Sequence, residues 1–225
     1  MKITYWSDYA CPFCYIGEAQ MKKAIAELPQ LGQVELEMKS FELDPYAANY
    51  VEGDPAEHLA KKYSTSIEVA RQQIERISNL GKKEGLEMNF GKVKSCNTMD
   101  AHRLTKLAQS KNDRDLNDKL IEALFKAYFS DNELLSDHTV LCRIGVECGL
   151  DEKEITDILE SDQYRGDVDR DEMEAARYGI HAVPFFIVGK YGISGAQNVD
   201  VMKKALTTVL EETSQGMSCD ISGCK

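Results

Sequence analysis

The chain has 225 residues, is 43% hydrophobic, and carries 27 basic against 38 acidic residues, a net charge of −11. That charge argues against nucleic acid or an anionic membrane as partner, and no run approaches the ~18 apolar residues of a membrane span. The length supports a full core, as one large domain or two intimate ones, while an odd number of cysteines, seven, speaks against a fully paired disulfide framework. The N-terminus lacks the pattern of a secretory signal, so the expected compartment is the cytoplasm, where thiols are kept mostly reduced.

Lys2-Ile3-Thr4-Tyr5-Trp6 is rich in strand formers and predicts a first strand. Cys11-Pro12-Phe13-Cys14 follows at a predicted helix start: Pro12 suits the first helical position, and Phe13, Ile16, Ala24, Ile25 and Leu28 recur at helical spacing. Two cysteines two residues apart can close a tight disulfide. The partial positive charge of a helix N-terminus favours a thiolate on the first of them. Cys11 is therefore the expected nucleophile and the more exposed thiol, and Cys14, one turn inside, the resolving one. Pro-Phe places no cation between them, which predicts an intermediate potential. Asp8, just before the motif, is a candidate proton carrier for Cys14, or a turn-initiating residue.

Val34, Leu36 and Met38 alternate with charged residues in a second predicted strand. Helical signals then dominate. Asp54-Pro55 with Glu57 opens one helix, and another runs from Ser66 towards Gly85. Asn97 and Asp100 open a third, and Leu116 to Ala127 mark a fourth. Asp137 to Gly149, Asp151 to Glu160 and Asp169 to Tyr178 give three more. Pro184 to Val188 predicts a strand, Gly189-Lys190 a hairpin turn, and a last helix follows Asn198.

The expected division is a discontinuous sheet domain, 1–49 and 166–212, a helical insertion, 50–165, and a flexible tail, 213–225. Cys96, Cys142 and Cys148 read as structural thiols. Cys219 and Cys224 in the tail form a candidate accessory redox pair, with an incidental exposed pair as the alternative. A zinc site needs two more ligands of suitable spacing than Cys11 and Cys14 provide, and no metal is expected.

On Asp8 to Gly17, on Asn97-Thr98 with Ala101-His102-Arg103-Leu104, and on Gly179 to Phe186, the chain resembles the DsbA-like branch of the thioredoxin superfamily, most closely its cytoplasmic FrnE-like group. The resemblance covers most of residues 1–212. It implies an α/β thioredoxin-like fold with a large all-helical insertion and thiol–disulfide oxidoreductase or isomerase activity. The implied partners are protein or small thiol and disulfide substrates and a cellular reductant or oxidant; the redox-active disulfide is the whole cofactor. Val183-Pro184 is implied to be cis and to lie against the cysteine motif, so that Pro12, Phe13, Val183 and Pro184 border a substrate groove. His181 is the second candidate proton carrier, and His102 with Arg103 is expected to orient the inserted domain. Kappa-type glutathione transferases and 2-hydroxychromene-2-carboxylate isomerases share this fold but use a serine at the position of Cys11. Both thiols together favour disulfide exchange over that glutathione-dependent alternative.

Overall fold

In the computed structural model, which describes residues 1–218, the strand-forming ends of the chain meet in one four-stranded sheet of order β2-β1-β3-β4. β1 (Lys2–Ser7) runs parallel to β2 (Glu35–Ser40), with α1 (Pro12–Ala26) between them. β3 (Phe185–Val188) returns antiparallel to β1, placing Tyr5 opposite Phe186, and turns into β4 (Tyr191–Ser194). The hairpin turn is two residues long, and Gly189 takes it at φ 59°, a conformation that side chains with a Cβ resist.

Successive residues of a strand face opposite sides of a sheet, and β1 uses this to seat two layers. Tyr5 stacks on Phe186, ring centroids 5.3 Å apart, on the side of α1. Trp6 points the other way and donates its indole N–H to the Asp171 carbonyl, 2.9 Å away, on α8 (Arg165–Arg177). Both rings are at most 1% exposed, a burial worth about 1.5–3 kcal/mol for a large apolar side chain.

Between β2 and β3 the chain is helical: α2 (Pro55–Tyr63), α3 (Ile67–Lys83), α4 (Met99–Ser110), α5 (Arg114–Phe129), α6 (His138–Cys148), α7 (Glu152–Leu159) and α8. At predicted helix starts Asp54 accepts from Ala56 N, Ser66 from Val69 N, Asp137 from Thr139 N and Asp151 from Glu154 N, and α5 has an unpredicted cap, Asp113 accepting from Leu116 N. Each such cap is worth about 1 kcal/mol. Tyr9 and Tyr15, which flank the cysteines, pack against Phe125 of α5 at 4.9 and 5.2 Å, so sheet and helices share one core. The hairpin of α2 and α3 keeps a small cluster of its own around Ala56, Ala60, Ala70 and Ile74. No helix among the described residues is long and apolar enough to cross a membrane.

Two boundaries differ from expectation. α8 begins at Arg165 rather than near Asp169, and α9 (Val199–Ser218) continues past Glu212. Glu211, Glu212 and Gln215 are good helix formers with no proline among them, which outweighs the local serine and threonine content; the tail begins later than position 213. Cys219 and Cys224 lie outside the described residues.

Candidate active site

β1 ends at Ser7, and a turn delivers Cys11 to the N-cap of α1. Cys11 N donates to the Asp8 carbonyl at 3.0 Å, and Cys14 N donates to the Cys11 carbonyl at 3.0 Å. Pro12 opens the helix, where its missing N–H leaves no bond unmade. The predicted exposure of Cys11 is corrected: it is only 5% exposed, because the segment entering β3 lies over it and its thiol donates to the Val183 carbonyl at 3.6 Å. Cys14 is wholly buried, so the order of access is as expected. Val183-Pro184 is cis.

Gly17 is what lets α1 press on this segment. A Cβ there would meet Pro184 Cγ at 3.0 Å and Phe186 at 3.5 Å. Of the four groove candidates, Val183 meets Cys11 directly and Pro184 lies over α1, both buried, while Pro12 is half-buried and Phe13 is 40% exposed beside them.

Burial pushes the Cys14 thiol well above its ordinary pKa, and the adjacent Cys11 thiol pushes it further; the Ser7 hydroxyl and the Asp8 N–H oppose this. The Asp8 N–H points at the Cys14 sulfur from 3.5 Å. Ser7 Oγ is buried and has no other hydrogen-bond partner. Dipoles, not a formal charge, are therefore what a Cys14 thiolate would meet on the strand side. Sequence reasoning missed Ser7, since nothing distinguishes a strand-end serine from any other.

The Asp8 side chain turns away to three donors and a histidine. Its carboxylate accepts from Leu43 N at 2.7 Å, Thr98 Oγ1 at 2.8 Å and Ala10 N at 3.1 Å, and His102 Nε2 stands 3.5 Å off. Burial alone would raise its pKa, but His102 and the N–H groups of Leu43 and Ala10 outweigh burial and hold it below the usual range. A carboxylate so stabilised is a poor proton acceptor, so Asp8 is better suited to anchor the turn than to carry a proton. His181, the other candidate, is exposed two residues before Val183.

Glu42 was not singled out from the sequence. It is 7% exposed, and burial, with Glu172 and Asp8 nearby and despite His102, pushes its carboxyl up to about 7. The Asn97-Thr98…His102-Arg103 signature now has a distinct task for each residue. Asn97 accepts from Met99 N at 2.9 Å and starts α4. Thr98 and His102, one helical turn apart, both face Asp8. Arg103, 5% exposed, donates to the carbonyls of Ile158, Ser161 and Gln163 at the end of α7 and pairs with Asp100 at 2.6 Å, a packing role as expected. Cys96 and Cys148 are buried and Cys142 is half-buried, all three as free thiols.

The model of the DSBA-like thioredoxin domain matches residues 2–207. The uncharacterized protein YwbO of Bacillus subtilis strain 168 is 31% identical over 213 residues, 91% of this chain and 95% of that protein. The crystal structure of a probable DsbA oxidoreductase from Streptomyces coelicolor superposes with a TM-score of 0.88 at 34% identity, covering 94% of this chain and 91% of the other. A 2-hydroxychromene-2-carboxylate isomerase shares the fold at 11% identity, with a TM-score of 0.69 over 96% of this chain and 98% of the other. With the cysteine motif at the start of α1, the cis-proline segment over it and a domain match across nearly the whole length, this chain belongs to the DsbA-like thioredoxin domain family.

Proposed function

We propose that the protein is a cytoplasmic thiol–disulfide oxidoreductase of the FrnE-like kind, able to act as an isomerase, with Cys11 as nucleophile, Cys14 as resolving thiol and no cofactor beyond their disulfide. The observation that carries this reading is the pairing of both thiols at the N-terminus of α1 with the Val183 carbonyl against Cys11 Sγ.

The Cys11 thiolate attacks one sulfur of a substrate disulfide and expels the other as a thiolate, which takes a proton from solvent. A mixed disulfide results. Cys14 then loses its thiol proton to solvent and attacks Cys11 Sγ, closing Cys11–Cys14 and releasing the second substrate sulfur as a thiolate, which takes a proton back from solvent. Two electrons pass from the pair to the substrate, and a cellular dithiol returns them. Run backwards, with a cellular oxidant, the same steps install a disulfide. Half-buried Pro12 and exposed Phe13 give an extended substrate an apolar edge beside the Val183 backbone.

Cys11→Ser should abolish reduction of a model disulfide protein, whereas Cys14→Ser should accumulate mixed disulfides through Cys11. Substantial turnover by Cys11→Ser overturns the assignment. Conjugation of glutathione to an electrophile by Cys14→Ser, faster than disulfide exchange by the parent protein, would instead favour the glutathione-dependent alternative.

A further inference from the structure

Asp8 reaches both cysteines through its backbone: its carbonyl accepts from Cys11 N, and its N–H points at Cys14 Sγ. Its carboxylate is held from outside the turn by Leu43 N, after β2, and by Thr98 and His102, which open α4. Thr98 is 3% exposed and His102 wholly buried. Thr98 Oγ1 donates to the same Asp8 oxygen that Ala10 N reaches and that His102 Nε2 faces at 3.5 Å, too far for a hydrogen bond, and neither ring nitrogen of the buried His102 has a hydrogen-bond partner. The Asp8 carboxylate is the acidic group that the imidazole faces.

We propose that Thr98 and His102 are positioning residues for the redox pair: through the Asp8 carboxylate they fix the turn whose N–H faces Cys14, so that α4 of the helical segment sets the rate at which Cys14 resolves a mixed disulfide. This inference rests on the thiol–disulfide reading above. Neither residue touches the sulfurs. Both act by preventing the Asp8 peptide from rotating its N–H away from Cys14 Sγ, where it and Ser7 are the donors available to a forming thiolate. Cys11 N shares the Asp8 turn through the Asp8 carbonyl, but its Sγ is held by the Val183 carbonyl and sits at the start of α1, so its attack should be affected far less than resolution by Cys14.

The test uses the reduced 225-residue protein, with Cys96, Cys142, Cys148, Cys219 and Cys224 changed to Ala, and one equivalent of 5,5′-dithiobis(2-nitrobenzoate). Cys11 attack releases one thionitrobenzoate and leaves the other on Cys11 Sγ. Cys14 attack then closes the disulfide and releases the second, so the two steps appear as two absorbance phases. Thr98→Val keeps the shape and removes the O–H donor; Thr98→Ser keeps the donor.

Thr98→Val should leave the first phase within about twofold and slow the second roughly tenfold, with its pH midpoint moved up, as loss of a hydrogen bond to a charged group predicts. Thr98→Ser should restore the second phase. An unchanged second phase in Thr98→Val overturns the proposal, and so does equal slowing of both phases without rescue by Thr98→Ser. If Thr98→Val does not fold, His102→Gln is judged by the same two phases. A parent protein that releases only one thionitrobenzoate overturns the thiol–disulfide reading itself, a result distinct from any difference between variants.

Discussion

Asp8 and Asp171 are both buried, both join the sheet to the helices between β2 and β3, and differ in what surrounds their charge. Asp171, on α8, accepts from Ser40 N at 2.8 Å and sits between two ammonium groups, Lys106 in direct contact and Lys39 at 3.3 Å. Its negative charge is met by formal positive charge. Asp8, at the mouth of the redox pair, is met by two backbone N–H groups, one hydroxyl and a histidine. The first arrangement is an ion-pair clamp. The second holds a turn in place with two N–H groups, a hydroxyl and an imidazole, and brings no ammonium group up to Asp8 among the contacts described. A lysine in the second position would bias Cys14 towards thiolate whatever the turn did; dipoles that must be aimed make its reactivity depend on geometry.

The sharpest way to break the comparison is at the clamp. Asp171→Ala strands Lys106 and leaves Ser40 N without its acceptor, and it should destabilise the protein by about 3 kcal/mol in urea unfolding. The folded fraction should resolve a Cys11 mixed disulfide at the parent rate. Slow resolution there would mean that both carboxylates serve the site, and the distinction drawn above would fail.

Asp8→Asn should cost about 2 kcal/mol, since its amide would oppose Leu43 N–H and face His102 without charge. Here resolution should slow as well. The pH dependence sharpens the point. Asp8 has a depressed folded pKa, so its contribution is present above the unfolded carboxylate range near ~4 and is lost as pH falls through the lower folded value. Parent and Asp8→Asn stabilities should therefore differ at neutral pH and converge in acid. A constant gap down to the lowest pH at which the parent remains folded would count against the charge on Asp8.

The smallest effect belongs to Glu42, beside Asp8 but without its donors. Its folded pKa is raised to about 7, so the stability linked to its proton is complete below the unfolded value near ~4.3 and is lost as pH rises towards 7. Glu42→Gln should stabilise the protein at pH 8 and leave it unchanged near pH 4, read from thermal unfolding at both. Equal effects at the two values would show that Glu42 ionises normally.

Local chemistry made much of this molecule legible in one dimension. The strand formers of β1, the alternation in β2, Pro12 behind Cys11, the caps Asp54, Ser66, Asp137 and Asp151, and the glycine turn before β4 each depend on residues within a turn or two of one another. Such interactions leave a periodic or positional trace. The cysteine pair belongs to the same class, because its spacing and its helix start are contiguous in the chain.

What only the tertiary structure decided are contacts between residues far apart in the chain. Cys11 is covered by Val183, Thr98 and His102 reach Asp8, Arg103 closes the end of α7, and Trp6 finds the Asp171 carbonyl. A threonine that bonds a carboxylate 90 positions earlier looks, along the chain, like any threonine before a helix. Its partner exists only once hydrophobic burial has packed α4 against the end of β1, and long-range polar pairing adds no periodicity from which it could be read beforehand.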